Sequence, residues 1–106
     1  MQETLTTEIR EEDGTLHLEL SGHLNQETSG RLHQELSDHY SAGGHCDTVI
    51  GFEEIQFIGS SGFRVLLQNQ RTLESAGFKL TMRRIPIRIM AVIKSLGFDK
   101  MFVIEE

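Results

Sequence analysis

The chain opens with two stretches, residues 5–11 and residues 16–20, in which apolar residues alternate with polar ones. This alternation is typical of strands that bury one face. The segment between them, Glu12-Asp13-Gly14-Thr15, has the composition of a tight turn. The pattern therefore predicts an opening β-hairpin.

Three later stretches have the spacing of amphipathic helices. Residues 26–42 follow Asn25, which is placed to cap a helix, and Gly43-Gly44 ends the stretch. Residues 61–76 form the second predicted helix. The third begins at Pro86 and ends at Gly97. The apolar positions counted for these helices are Leu32, Leu36, Tyr40, Phe63, Leu66, Leu67, Leu73, Ile89, Val92, Ile93 and Leu96.

Short apolar and β-branched runs predict three further strands, at residues 48–52, 78–82 and 102–104. The resulting order is β-β-α-β-α-β-α-β. Its alternating second part predicts a mixed, mostly parallel sheet with helices packed on it. A chain of 106 residues fits one such α/β domain, spanning residues 1–106.

The junction between the third strand and the second helix combines glycines and hydroxyls, in the order Gly59-Ser60-Ser61-Gly62. Glycines permit a tight turn and leave the hydroxyls uncovered. Ser60 or Ser61 is placed to cap the helix, at the end where the dipole favours negative charge. A serine there either serves as a cap or carries a phosphate, and the local pattern leaves both interpretations open.

Charge is divided unevenly along the chain, whose net charge is −6. Residues 1–56 contain 12 acidic and 2 basic residues, and residues 57–106 contain 4 acidic and 8 basic ones. The overall acidity argues against nucleic acid as the main partner. The arginines of the second half either face an anionic partner or pair with the acidic half. No apolar stretch is long enough for a membrane span, and we expect a cytoplasmic protein without a membrane partner.

Catalytic and metal-binding patterns are weak. Cys46 is the only cysteine, and the five histidines have neither helical i, i+4 spacing nor zinc-site surroundings, so we expect no metal and no cofactor. Glu53-Glu54 is interpreted as a solvated loop edge. Ser60 lacks the elbow motif of a hydrolase, and the lysine of a phosphate-binding loop is absent. An enzyme is therefore not predicted.

Three segments carry a resemblance to a known family: Ser21-Gly22-His23-Leu24-Asn25, Ile55-Gln56-Phe57-Ile58-Gly59-Ser60-Ser61-Gly62, and Ser95-Leu96-Gly97-Phe98-Asp99-Lys100-Met101-Phe102. Together with the opening hairpin, they make nearly the whole chain resemble a STAS domain of the bacterial anti-sigma factor antagonists.

The resemblance implies a phosphorylation switch without catalysis by this chain. An anti-sigma factor that is also a serine kinase, of the histidine-kinase-like ATPase type, would bind the chain and phosphorylate Ser60, with Ser61 as the alternative acceptor. Phosphorylation would release the partner, a serine phosphatase would reset the cycle, and the chain would act as a monomer. The predicted partner-binding residues are Asn25, Gly59, Ser60, Ser61, Gly62, Phe63, Arg64, Gln68 and Arg71.

Two positions depart from the family pattern. Gly59 stands where an aspartate is usual, and Asn25 stands where an acidic residue is common. These departures keep a second hypothesis open, namely an unphosphorylated STAS scaffold subunit of a constitutive complex, for example with a transport ATPase. A third hypothesis, a small enzyme with Ser60 as nucleophile, lacks a base at a recognisable spacing.

Overall fold

A computed structural model describes residues 4–105 of the chain. Within that range the elements follow in the order β1 (Leu5–Glu12), β2 (Thr15–Leu24), α1 (Gln26–Gly43), β3 (Thr48–Ile58), α2 (Ser60–Ser75), β4 (Leu80–Arg83), α3 (Ile87–Ser95), a 3-10 turn (Phe98–Lys100) and β5 (Val103–Glu105). The predicted order of strands and helices is confirmed.

The five strands form one sheet in the order β1-β2-β3-β4-β5. The β1–β2 pair is antiparallel and the other three pairs are parallel, which confirms the mixed, mostly parallel sheet. Each helix connects one strand to the next in the same direction, so right-handed crossovers put all three helices on one face. Accordingly Leu18 and Leu20 are buried, whereas Glu19 and Ser21, on the opposite face of β2, are exposed.

The two local signals at the start of the chain are also confirmed. The hairpin turns at Asp13 and Gly14, whose φ angles of 51° and 77° are those of the turn that fits a right-twisted hairpin. Asn25 caps α1, because its side-chain oxygen accepts a hydrogen bond from the backbone N–H of Thr28 at 2.9 Å. The Thr28 hydroxyl in turn accepts from the Asn25 N–H at 2.9 Å, which completes a capping box.

The strand predicted at residues 48–52 is longer than expected and continues to Ile58. It remains paired with β2 up to the contact of Leu24 with Ile58, through two register shifts in the second half of β2. Glu53 and Glu54 lie within this strand with exposed side chains, so their interpretation as a loop edge is wrong. Ile55 and Ile58 are the inward-facing positions that hold this extension in the core.

The start of α2 packs very closely on the ends of β2 and β3. A Cβ atom added to Gly62 would lie 2.9 Å from Leu24 Cγ and 2.9 Å from Ile58 Cγ2. Real side chains do not approach so closely, and both neighbours are buried. The first turn of α2 can therefore lie where it does only because residue 62 has no side chain.

Replacing Gly62 of α2 and Gly30 of α1 by alanine is expected to have opposite effects. Gly62→Ala should lower the free energy of unfolding, because overpacking costs about 1–3 kcal/mol and outweighs the better helix propensity of alanine. Gly30→Ala is the matched control, since a Cβ there meets nothing within 4 Å. It should raise the free energy of unfolding by up to about 1 kcal/mol. Urea unfolding of both variants checks this, and stabilisation by Gly62→Ala would contradict the packing.

Candidate functional site

The serines lie where the carboxyl ends of two parallel strands meet the start of α2. Strand β3 ends at Ile58 and α2 begins at Ser60, so only Gly59 separates them. The Gly59 N–H donates a hydrogen bond to the Leu24 carbonyl oxygen at 2.9 Å, which ties the junction to the end of β2. Because Asn25 follows Leu24 directly, the start of α1 lies beside the start of α2.

The cap of α2 differs from the prediction. Gly59 is the N-cap residue and makes no side-chain cap bond, while Ser60 and Ser61 are already in the first helical turn. The prediction that one of these serines caps the helix is therefore wrong. Among the residues that the structure describes, neither serine hydroxyl makes a hydrogen bond. Ser60 is exposed and Ser61 is half-buried, so Ser60 presents the more accessible uncommitted hydroxyl.

The start of α2 favours an anion. The first backbone N–H groups of a helix lack intrahelical partners, and the dipole adds partial positive charge there. No acidic residue in the first turn of α2 offsets this charge. Arg64 is exposed and lies four residues after Ser60, hence on the same side of the helix. The amides of Gly62 and Phe63 donate to the Gly59 carbonyl oxygen, whereas those of the two serines have no backbone acceptor in the described chain. A negative charge added at Ser60 would therefore lie near these two amides and a guanidinium group.

A polar cleft of about 490 Å³ brings several of the predicted residues together. Asn25 lies on one side of the cleft and is fixed by its capping box, while Ser60 and Ser61 lie on the other. The residues that line the cleft are Asn25, Gln26, Phe57, Gly59, Ser60, Ser61 and Arg64. In this part of the described chain the lining contains no carboxylate and no imidazole.

The predicted partner-binding residues of α2 that follow the two serines fall into two groups. Arg64, Gln68 and Arg71 are exposed along α2. Gly62 and Phe63 are buried, and the Phe63 ring packs against Phe98 with the ring centroids 5.2 Å apart. The exposed group is thus accessible from solvent, while the buried pair helps to position the helix that carries it.

The sequence left two interpretations of the arginines in the second half: pairing within the domain, or facing an anionic partner. Each interpretation applies to different arginines. Arg83 pairs with Glu105 at 3.1 Å, and Arg84 lies 3.8 Å from Glu53. Arg88 donates a hydrogen bond to the Gln56 carbonyl oxygen at 2.5 Å. Arg64 and Arg71, by contrast, have no ion pair within residues 4–105. Among the arginines of the second half, those of α2 are thus the ones available to an anionic partner.

An apolar groove beside Ser60 was not predicted from the sequence. It lies between α2 and α3, has a volume of about 570 Å³, and includes Val92 and Leu96 in its lining. The helical spacing had grouped these two residues with Ile89 and Ile93. The latter two are buried, whereas Val92 is 45% and Leu96 55% exposed. Within the described chain no element covers that side of α3.

Other reactive groups are dispersed. No three histidine, cysteine or carboxylate side chains of residues 4–105 come together as a metal site would require. Cys46 is a free, half-buried thiol, and burial raises its pKa, which keeps it protonated near neutral pH.

None of the helices described here is long and apolar enough to cross a bilayer.

Comparison with known proteins identifies the family. Residues 7–105 match the sequence model of the family described as "Mlab, STAS domain". The chain belongs to the STAS domain family. The match spans every strand and helix of this STAS domain except the first two residues of β1. None of the curated proteins compared with the chain matches it.

Solved structures of anti-sigma factor antagonists share the fold of this STAS domain. One from Mycobacterium paratuberculosis is 24% identical, with a TM-score of 0.77 over 95% of this chain and 85% of that chain. SpoIIAA in its unphosphorylated form is 18% identical, with a TM-score of 0.77 over 95% and 88% of the two chains. The phosphorylated form of Bacillus SpoIIAA is also 18% identical, with a TM-score of 0.74 over 95% and 92%.

Restoring an acidic residue at position 59 should stabilise α2 of this STAS domain. In a Gly59→Asp variant the carboxylate can accept hydrogen bonds from the first-turn amides and face the positive end of the dipole. The added Cβ would lie 3.3 Å from Phe57 Cε2, and that ring is 47% exposed and free to shift. We expect the Gly59→Asp variant to exceed a Gly59→Ala control by about 0.5–2 kcal/mol in free energy of unfolding. Equal stability of the two variants would contradict this account of the cap.

Proposed function

We propose that this STAS domain is an anti-sigma factor antagonist that binds an anti-sigma factor with serine kinase activity and is released by phosphorylation of Ser60. The observation that supports this most strongly is the exposed and uncommitted Ser60 hydroxyl in the first turn of α2. The neighbouring Ser61 is less accessible. The fold shared with anti-sigma factor antagonists, one of them in a phosphorylated form, adds support.

The modification transfers a phosphoryl group from ATP held by the kinase. The Ser60 oxygen forms a bond to the γ-phosphorus, the bond between that phosphorus and the bridging oxygen of ADP breaks, and a base of the kinase takes the hydroxyl proton. A serine phosphatase reverses the change by hydrolysing the ester with water. The cleft around Ser60 contributes position, and the base is supplied by the kinase.

A phosphate on Ser60 is accommodated more easily by this domain than by a partner bound over the cleft. It adds roughly −1.5 to −2 units of charge and three acceptor oxygens. The first-turn amides of α2 and the Arg64 guanidinium can stabilise that charge. A partner packed over the unmodified cleft would have to accommodate a hydrated dianion instead. A coupling of about 1–3 kcal/mol changes affinity roughly 5- to 150-fold, which is enough to exchange partners without refolding.

The surface that we propose for the kinase combines the cleft and the exposed side of α2. Asn25 faces Ser60 across the cleft, and Ser61 lies next to Ser60 on α2. Arg64, Gln68 and Arg71 continue along the helix and are exposed. We further propose that the antagonist is a monomer in the cytoplasm, where the kinase has access to ATP.

One observation favours a second function. Gly59 supplies no side chain to the start of α2, where the family usually has an aspartate. If that carboxylate is needed for phosphoryl transfer, the same cleft would serve an unphosphorylated scaffold subunit that binds one partner permanently.

The acceptor can be tested with paired serine variants. We expect the purified cognate kinase and Mg-ATP to add one phosphate to the wild-type chain and to Ser61→Ala, but none to Ser60→Ala, as read by intact mass. Ser60→Glu should weaken binding to the kinase about 5- to 150-fold in a calorimetric titration. Phosphate on Ser61 would contradict the assignment. Tight binding without any phosphate would establish the scaffold function instead.

A further inference from the structure

The apolar groove between α2 and α3 is built from residues one helical turn apart. Phe63 and Leu67 form the wall on α2, and Val92 forms the opposite wall together with Leu96, the residue that caps the end of α3. Each pair has i, i+4 spacing, so its two side chains lie about one helical turn apart. Ser60 lines the same groove, which therefore begins at the proposed phosphorylation site.

The groove leaves apolar surface in contact with water. Val92 is 45% exposed, Leu96 is 55% exposed, and Phe57, at the Ser60 end, is 47% exposed. Isolated exposed apolar side chains need no explanation, but these three share one concavity. Covering them would remove apolar surface from water, which favours binding. A concave apolar patch of this kind marks an interaction surface.

The charge along the groove is positive. Arg64 is the charged residue in its lining, and Arg71 follows two turns later on the same side of α2 as Ser60 and Leu67. Neither arginine has an ion-pair partner within the described residues. The next acidic residue of α2, Glu74, lies beyond them and accepts a hydrogen bond from the Gln70 amide. The rim therefore favours an acidic occupant.

We propose that this groove binds an amphipathic helix of a partner protein, with its apolar face between α2 and α3 and an acidic flank against Arg64 and Arg71. A small ligand would need a site that encloses most of its surface, whereas the side of this groove formed by Val92 and Leu96 is about half exposed to solvent. Two walls at helical pitch fit the apolar stripe of a helix. The binding itself is independent of Ser60, and only its regulation rests on the proposed function.

Phosphorylation would then act on the groove directly. A phosphate on Ser60 lies within reach of Arg64 at i, i+4, and pairing with it removes the cation from the rim. The remaining negative charge repels an acidic flank. A single phosphate thus occupies the Arg64 guanidinium and adds negative charge at the Ser60 end of the groove.

The first test uses the full ¹⁵N-labelled chain and a synthetic amphipathic peptide of about 18 residues, which is about five helical turns. The peptide carries leucines on one face and glutamates on the flanks, and its control has lysines in place of the glutamates. We expect the acidic peptide to shift the amide signals of Leu67, Val92 and Leu96, and to bind about 2- to 30-fold more tightly than the basic one. The Ser60→Glu substitution should weaken binding of the acidic peptide to the domain.

Two substitutions locate the binding. Leu96→Asp should abolish binding of the acidic peptide, whereas Val103→Asp is the matched control, because Val103 is 42% exposed on β5 and outside the groove lining. Arg64→Glu should reverse the preference between the acidic and the basic peptide. Urea unfolding of each variant checks that the fold is retained.

Several results would overturn the proposal. These are equal binding of the two peptides, shifts confined to another surface, or a dimer in sedimentation that Leu96→Asp dissociates, which would make a second copy the occupant. Dodecanoate that fills the groove and displaces the peptide would point to a small amphipathic anion instead. The titration needs neither kinase nor ATP, so its failure is distinct from a failure to phosphorylate Ser60.

Discussion

The close contact of α2 with the ends of β2 and β3 is the constraint on which the site depends. The backbone of Gly62 lies against Leu24 and Ile58, and the Gly59 N–H is hydrogen-bonded to the Leu24 carbonyl oxygen. With the helix fixed at this point, its first turn directs Ser60 to solvent. The hydroxyl is accessible because the backbone beneath it cannot move inward, and because capping of the helix does not use it.

The distribution of charge makes the start of α2 attractive to an anion. At the end of β4 and directly after it, Arg83 and Arg84 form ion pairs with carboxylates of the domain itself. On α2, Arg64 and Arg71 remain without such partners in the part of the chain described. The helix start adds free amides and no first-turn acid. A phosphate there is stabilised by groups already in place, so a change of surface charge needs no change of fold.

Sequence patterns predicted the elements whose signals are local. The hairpin turn, the Asn25 cap and the order of strands and helices follow from turn chemistry and periodicity over a few residues. The length of β3 could not be predicted, because Glu53 and Glu54 resemble a loop until β2 is seen to pair alongside them. The groove was missed for a related reason. Periodicity identifies Val92 and Leu96 as members of one helix face, but it cannot show whether another element covers that face.

The central claim is that Ser60 accepts charge on a scaffold that stays unchanged. It is tested most directly by comparing amide spectra and urea unfolding of the chain with serine and with phosphoserine installed at position 60 during synthesis. We predict shifted signals only around the β3–α2 junction and the rim of the groove, with equal or slightly higher stability of the phosphorylated chain. Shifts spread through the sheet, or marked destabilisation, would contradict the claim and show that phosphate acts by disrupting the fold.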